Sequence, residues 1–393
     1  MSTGDDIPVP AGFESLTASI GIKDATDDVL LVRAAPGTTS AGVFTKSRFA
    51  GPSVTISRGV AATGRGRALV VISKNANVAN GPEGDADARE LQRRAAELLG
   101  VEPGEVYVAS TGVIGRPYPM ERIRTWFGGA STPGGALDPA AAATAIMTTD
   151  THPKVASASV PTSDGGEASI VGIAKGVGMI EPDMATLLVF VFTDAQVDAP
   201  SLDASLRRVV DVTFNALSID TDTSTSDSAV VMASGAAGRV DPAACEAGLL
   251  DVAERLVRMI AADGEGATKV VETTVRGARD AAQARRVAKA IVNSPLVKTA
   301  VHGADPNWGR IAMAIGKCSD ELDIEPDRTV IGIGGVRMFP PAADEAALAA
   351  AAEHMAGDTI EIEVDLGIAD GSFRAFGCDL TDGYVRINAD YTT

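Results

Sequence analysis

The sequence predicts a mixed α/β fold. Short β-branched runs bounded by glycine- and proline-bearing turns alternate with segments whose apolar residues recur at helical spacing. The chain has 393 residues, 45% hydrophobic and 22% charged, which suits a soluble globular protein with one large core or two domains. Only 4% of residues are aromatic, so the core should be built from small and aliphatic side chains. This alternation gives the class and leaves the order of the layers open.

Taken in order, the runs at Val29 to Val32, Val43 to Thr45 and Ala68 to Ile72 read as strands. Asn75, Asn77 and Asn80 follow the last of them, where amides suit either a structural loop or contact with a substrate. Asp85 to Leu99 has amphipathic helical spacing and stops at Gly100. A strand at Val106 to Ala109 then runs straight into Ser110-Thr111-Gly112-Val113-Ile114-Gly115. Small residues at a strand end leave backbone N–H groups unpaired and pointing outward, as an oxyanion hole requires, although spacing alone favours a simple turn. An alanine-rich helix is expected near 140–147, followed by Thr148-Thr149-Asp150-Thr151-His152-Pro153-Lys154, whose threonines suit either backbone capping or a polar substrate. His152, beside Pro153, reads as a loop residue.

Further helices are expected at Leu202 to Leu217, Ala243 to Ala262, 278–292 and 342–356, with strands at Val270 to Val275, 358–364, 372–377 and 383–388. Ser218 to Asp227 alternates acids and hydroxyls but lacks the glycine and terminal glutamate of a helix-loop-helix calcium site, so it reads as a polar loop. Glu265 lies between Gly264 and Gly266, which lets a carboxylate approach a ligand closely; a solvated turn residue is the plainer reading. Asp305-Pro306-Asn307-Trp308 fits a helix start, with His302 and Trp308 expected to set shape near a site. Gly332-Ile333-Gly334-Gly335 invites a nucleotide-loop reading, which fails because Pro340 and Pro341 follow and no helix offers its N-terminus.

A net charge of −18 opposes non-specific attraction to nucleic acid or an anionic membrane, and both partners are discounted. No apolar run reaches the roughly 20 residues of a spanning helix, and the opening residues lack a signal-peptide pattern, so a cytoplasmic protein is expected. Cys245, Cys318 and Cys378 are widely spaced, with no CxxC or Cys/His cluster; they read as reduced thiols and give no metal site.

The stretch with the most chemical content is Lys175 to Phe192. Gly176, Gly178 and Pro182 mark an irregular segment that stops at Ala185-Thr186, where an apolar β-branched and aromatic run begins. Such a segment can present the Ala185 carbonyl to the Thr186 hydroxyl. Attack there, followed by ester hydrolysis, would leave Thr186 as a new N-terminus. Its α-amine, with an unperturbed pKa of roughly 7.7–8.0, could then serve as base for its own hydroxyl. On local pattern alone the plainer alternative is favoured, in which Thr186 merely begins a core strand.

The string KGVGMIEPDMATLL at 175–188 resembles the self-cleavage motif of the ornithine acetyltransferases, the N-terminal-threonine enzymes of the acetylated arginine pathway. Blocks similar to the family's follow in its order: SKNANVANG at 73–81, STGVIG at 110–115, MTTDTHPK at 147–154, DGEGATK at 263–269, VNSPLVKTAVHGADPNWGRIAMAIG at 292–316 and the final NADYTT. Several long motifs in one order are far more specific than any one alone, and they reverse the preference at Thr186.

The resemblance implies a four-layer α-β-β-α sandwich, cleavage between Ala185 and Thr186, and fragments 1–185 and 186–393 that stay together as one catalytic unit. It implies that Thr186 takes the acetyl group of N2-acetylornithine and passes it to glutamate, with Thr111 and Gly112 as the oxyanion site. Substrate would be held by Thr148 or Thr149, Lys175, Glu265, Thr186, Asn388 and Thr393. By charge, Lys175 would meet the substrate α-carboxylate and Glu265 an amino group. No metal or other cofactor is expected, because one amide is exchanged for another. The family implies a dimer of cut pairs, a heterotetramer. Glu181 and Asp183 stand where many members carry His and Asn, and Thr221 and Ser226 where they carry Gly and Asn. This pattern resembles second-copy members associated with actinomycete secondary metabolism, and it leaves open the acyl range and the use of acetyl-CoA as a second donor. The rival readings are a self-cleaving aminopeptidase or amidase, with water as acceptor, and a self-processed binding protein.

Overall fold

The computed structural model describes residues 7–181 and 187–390. Ala185, Thr186 and Thr393 lie outside them. Among the described residues, three five-stranded sheets organise the fold. The first runs in the spatial order Val106–Ser110, Ala68–Ile72, Val29–Ala34, Phe13–Ala18 and Gly135–Ala136. The second runs Thr39–Phe44, Ser228–Arg239, Leu188–Gln196, Glu167–Lys175 and Lys154–Pro161, and the third Val336–Phe339, Val330–Ile333, Thr359–Asp365, Val270–Ala278 and Gly371–Cys378.

The side-chain alternation shows how the first two sheets stack. Leu69 and Val71 share a buried cluster with Phe190, Phe192, Val230 and Met232 of the second sheet, whereas Val70 and Ile72 point the other way, onto Leu91 and Ala95 of helix Gly81–Leu99. In the second sheet, Leu188, Phe190 and Phe192 face the first sheet, while Val189 and Val191 join Leu206, Leu256 and Ile260 of helices Ala199–Val212 and Pro242–Ala262. The order helix, sheet, sheet, helix is therefore the expected four-layer sandwich. It also explains why Leu188 to Phe192 is apolar at successive positions: that part of a central strand is covered on both faces and has no polar side. The third sheet was not foreseen as a separate layer. It carries helix Ala281–Val292 and joins the second sheet's outer core through Val271, Val275 and Phe376.

Helix starts follow local chemistry. Asp138, Asp198, Asp241, Asp280 and Asp344 each accept a first-turn N–H, and the first three are followed by a proline in the opening turn. The expected helix at 278–292 begins at Ala281, because Ala278 still belongs to a strand. Gly334 and Gly335, with φ of 58° and 76°, form the tight turn of a hairpin, which removes the nucleotide-loop reading.

The strand expected at 383–388 is instead part of helix Asp382–Asp390. Tyr384-Val-Arg-Ile-Asn alternates like a strand, but the edge it could have joined is occupied: Ser218 N–H bonds to Phe376 O at 2.8 Å beside the edge strand Gly371–Cys378. Without a ladder the segment coils. Arg386 pairs with Asp382 at 2.9 Å, and the Asn388 amide bonds to Tyr384 O at 3.1 Å. Among the described residues no helix is long and apolar enough to cross a membrane.

Candidate active site

One cavity of about 240 Å³ collects Thr111, Gly112, Thr148, Thr149, Lys175, Glu265 and Asn388, residues far apart along the chain. Val177, Gly178 and Met179 line it from the irregular segment, Asp220, Asp222 and Ser224 to Ser226 from the polar loop, and Tyr384 from the last helix. The oxyanion and substrate residues that the resemblance implies, apart from Thr186 and Thr393, all line it.

Strand ends supply the first part. Ala68–Ile72 and Val106–Ser110 run parallel and deliver Thr111 at the rim. Gly112 has φ 130°, and a Cβ at that position would lie 2.2 Å from the Lys74 carbonyl carbon, so only glycine fits. The expectation that both backbone N–H groups point outward needs correction. The Thr111 N–H continues the ladder to Ile72 O at 3.1 Å, because the parallel pairing extends one residue past the strand. The Thr111 hydroxyl takes its place at the rim. Its oxygen accepts from Lys175 Nζ at 3.1 Å, which leaves its own hydrogen free to turn toward the cavity.

Lys175 ends the strand Glu167–Lys175 and is only 7% exposed. Burial pulls its pKa down, against Asp150, Asp227 and Glu265, whose charges pull it up. Asp150 binds the Gly176 N–H at 2.7 Å and Lys154 Nζ at 2.8 Å, and Lys154 also binds Asp263 at 2.6 Å. Burial alone would raise the Asp150 carboxyl; Lys175 and Lys154 outweigh it and hold the pKa below the ordinary value. This buried network ties the threonine loop, the irregular segment and the glycine-flanked loop to one another. Sequence reasoning missed it, since Lys154 opens a strand and nothing local marks it as fully buried.

Glu265 shows why its neighbours are glycines. Its N–H bonds to Val177 O at 2.8 Å, and a Cβ on Gly178 would lie 2.5 Å from its Oε2. Gly266, with φ 70°, abuts the backbone of Gly383 and Tyr384 so closely that a Cβ there would lie 2.3 Å from the Tyr384 nitrogen. The Glu265 carboxylate accepts from Thr149 Oγ1 at 3.2 Å and from Asn388 Nδ2 at 2.9 Å. Thr148 also lines the cavity, but through its backbone N–H it bonds to Asp150. Asp220 receives the N–H groups of Met179 and Ile180 at 2.6 and 2.7 Å, fixing the irregular segment against the polar loop. Burial, with Asp220 next, raises the Tyr384 phenol to about 12.

Three expectations fall elsewhere. Asn75 and Asn80 bond to the loop carbonyls of Pro117 and Arg116, Asn77 bonds to Gly84 O in the first turn of helix Gly81–Leu99, and none of them lines the cavity, so the structural reading is the one their contacts support. Trp308 stacks on Phe339 at 5.2 Å and His302 bonds to Asp379 at 3.0 Å; neither reaches the cavity. Glu181, at the edge of the irregular segment, accepts from Asn293 at 2.7 Å and from Ser218 at 3.2 Å.

The model of the ArgJ family matches residues 14–393. Glutamate N-acetyltransferase Oat2 of Streptomyces clavuligerus is 56% identical over 391 residues, covering 98% of each chain. The arginine biosynthesis bifunctional protein ArgJ of Rhodococcoides fascians is 52% identical over 98% of this chain and 94% of its own. Among solved structures, the arginine biosynthesis bifunctional protein ArgJ of Bacillus halodurans is 42% identical over 51% of this chain and 98% of that chain, with a TM-score of 0.49.

Proposed function

The chain belongs to the ArgJ family, and we propose that it transfers the acetyl group of N2-acetylornithine to glutamate through an acetyl ester of Thr186, formed after self-cleavage between Ala185 and Thr186. The observation that carries this reading is the single cavity in which Thr111, Gly112, Thr149, Lys175, Glu265 and Asn388 converge. It offers one buried cation and several carboxylates to a substrate that bears both charges.

In the first half-reaction the Thr186 oxygen bonds to the acetyl carbon, and its proton passes to the Thr186 α-amine. The carbonyl oxygen gains charge as the tetrahedral intermediate forms. The Thr111 hydroxyl and the Gly112 N–H are the donors that meet it, and Lys175 behind Thr111 Oγ1 polarises the hydroxyl toward donation. The carbon–nitrogen bond then breaks, the amine returns the proton, and ornithine leaves. Glutamate repeats the steps in reverse. One amide replaces another, so no external energy source is required.

Lys175, whose ammonium carries three N–H donors, supplies a partner for a substrate carboxylate while still donating to Thr111, and Glu265 supplies one for an amino group, with Thr149 and Asn388 fixing its carboxylate. The fragments 1–185 and 186–393 would remain one unit, since Leu188–Gln196 is flanked by Glu167–Lys175 on one side and by Ser228–Arg239 on the other. Pairing of two such units is part of the same proposal. Initial rates with both substrates varied test it. Parallel double-reciprocal lines are expected from a covalent acetyl-enzyme, and converging lines would overturn it.

A further inference from the structure

The cavity sorts its charges. Among the described residues that line it, Lys175 is the only lysine or arginine, whereas Asp220, Asp222 and Glu265 bring three carboxylates. Besides its burial, Lys175 is acted on chiefly by Asp150, Lys154, Asp227 and Glu265. Burial, followed by the charges of Asp220, Glu265 and Asp222, raises the Tyr384 phenol. Glu265 acts on both groups, so it lies between a cationic end at Lys175 and an anionic end beside Tyr384.

The three carboxylates differ in what already holds them. Glu265 accepts from Thr149 and Asn388. Asp220 has one oxygen on the Met179 N–H and the other on the Ile180 N–H, at 2.6 and 2.7 Å. Asp222 is the reverse case, with its backbone held and its side chain free. Its C=O accepts from the Glu181 N–H at 2.7 Å, its own N–H reaches Asp220 at 3.4 Å, and the next residue, Thr223, bridges to Ile180. Thr221 before it has φ 71°, a left-handed conformation that β-branched residues rarely adopt, and this turn leaves Asp220 and Asp222 both on the cavity. Among the described residues no group donates a hydrogen bond to the Asp222 carboxylate. A free carboxylate on a fixed backbone can take a ligand cation without first giving up a partner.

We propose that Asp222 is the specificity-determining carboxylate of this cavity, pairing with the terminal ammonium of the donor's side chain while Lys175 holds the α-carboxylate at the other end. On the acetyl-transfer reading above, on which this rests, the favoured donors are N2-acylated amino acids with a cationic side chain. Glu265, between the two ends, is left for the α-amino group that leaves with ornithine and enters with glutamate. Tyr384, whose phenol stays neutral, can accept from an ammonium or donate to a carboxylate, so the same end also admits the acceptor's side chain.

The test compares two donors on the same preparation of purified full-length protein, with glutamate as acceptor: N2-acetylornithine, and N2-acetylnorleucine, in which a methyl replaces the terminal ammonium. Both donors meet the same molecules, so the ratio of their kcat/KM values does not depend on the fraction cut or folded. The wild type should favour N2-acetylornithine by about tenfold or more, the effect of one hydrogen-bonded charge pair. Asp222→Asn should lower that ratio by about tenfold, and Asp222→Glu should restore part of it. Glu265→Gln should instead slow both donors together, since each releases an α-amino group. A ratio that changes by less than about threefold in Asp222→Asn overturns the inference, because a structural role would slow both donors alike. A wild type that uses the two donors equally also overturns it, and acetyl transfer stands in either case. A wild type that forms no acetyl-enzyme from either donor overturns the acetyl-transfer reading and this inference with it.

Discussion

Gly178→Ala perturbs Glu265 without touching it chemically. The new Cβ would lie 2.5 Å from Oε2 and 2.6 Å from Cδ of Glu265, whereas ordinary contacts begin near 3.5 Å, so the carboxylate must retreat by about 1 Å. Its hydrogen bonds from Asn388 Nδ2, now 2.9 Å, and Thr149 Oγ1, now 3.2 Å, would then pass beyond useful range. A hydrogen bond to a charged group contributes about 1.5–3 kcal/mol, which corresponds to about 10- to 150-fold. We expect kcat/KM for N2-acetylornithine, measured per cut chain, to fall by that factor. Gly178 has no left-handed φ, so alanine fits the backbone and melting should change little. Glu265→Gln should show a similar loss, and the double variant far less than the sum, because both changes act through one carboxylate. Wild-type kcat/KM in Gly178→Ala would refute the placement of Glu265 against substrate.

Thr111→Val keeps the shape of the rim and removes its hydroxyl; transfer should fall by about 10²–10³-fold in single-turnover assays with little change in melting, and a loss below fivefold would exclude the hydroxyl as the oxyanion donor. Lys154→Met leaves Asp150 and Asp263 buried without their shared cation, and denaturant unfolding should record about 3–5 kcal/mol less stability. The lowered pKa of Asp150 sets a pH dependence: its stabilising contribution is complete above the unfolded-state value of about 3.9 and is lost as pH falls through the lower folded-state value. Acid unfolding of the wild type should therefore steepen below about pH 4, monitored by circular dichroism, and Lys154→Met should unfold at higher pH. Cys245 and Cys378 are buried, which pushes both thiols up, Cys245 to about 11. Ellman titration should count at most Cys318 in the native protein and all three thiols after denaturation.

Much of this was legible in the sequence because local patterns agreed with tertiary demands. Ala68–Ile72 was readable to the residue, since an unbroken apolar run between Gly/Arg and Ser fits a strand covered on both faces. Glu265 between glycines allowed a close approach although a solvated turn was the plainer reading, and the structure shows the Val177 and Gly178 backbone packed against it. What escaped were properties set by distant partners. The 383–388 segment has strand-like alternation but no free edge to join. The Thr111 N–H was expected to be unpaired, yet the ladder runs one residue further than the strand. Lys154 and Asp227 look like ordinary charged residues in a one-dimensional reading; only packing shows that one is enclosed by two carboxylates and that the other buries an oxygen with no hydrogen-bond partner among the described residues.

The central claim is that Thr186 becomes an N-terminal nucleophile that carries acetyl. Intact mass of the purified protein under denaturing conditions, before and after brief exposure to N2-acetylornithine, tests it most directly. The account predicts two fragments divided between Ala185 and Thr186, with the second gaining one acetyl group that glutamate then removes. A chain that remains whole, or a second fragment that never gains the acetyl group, would contradict it.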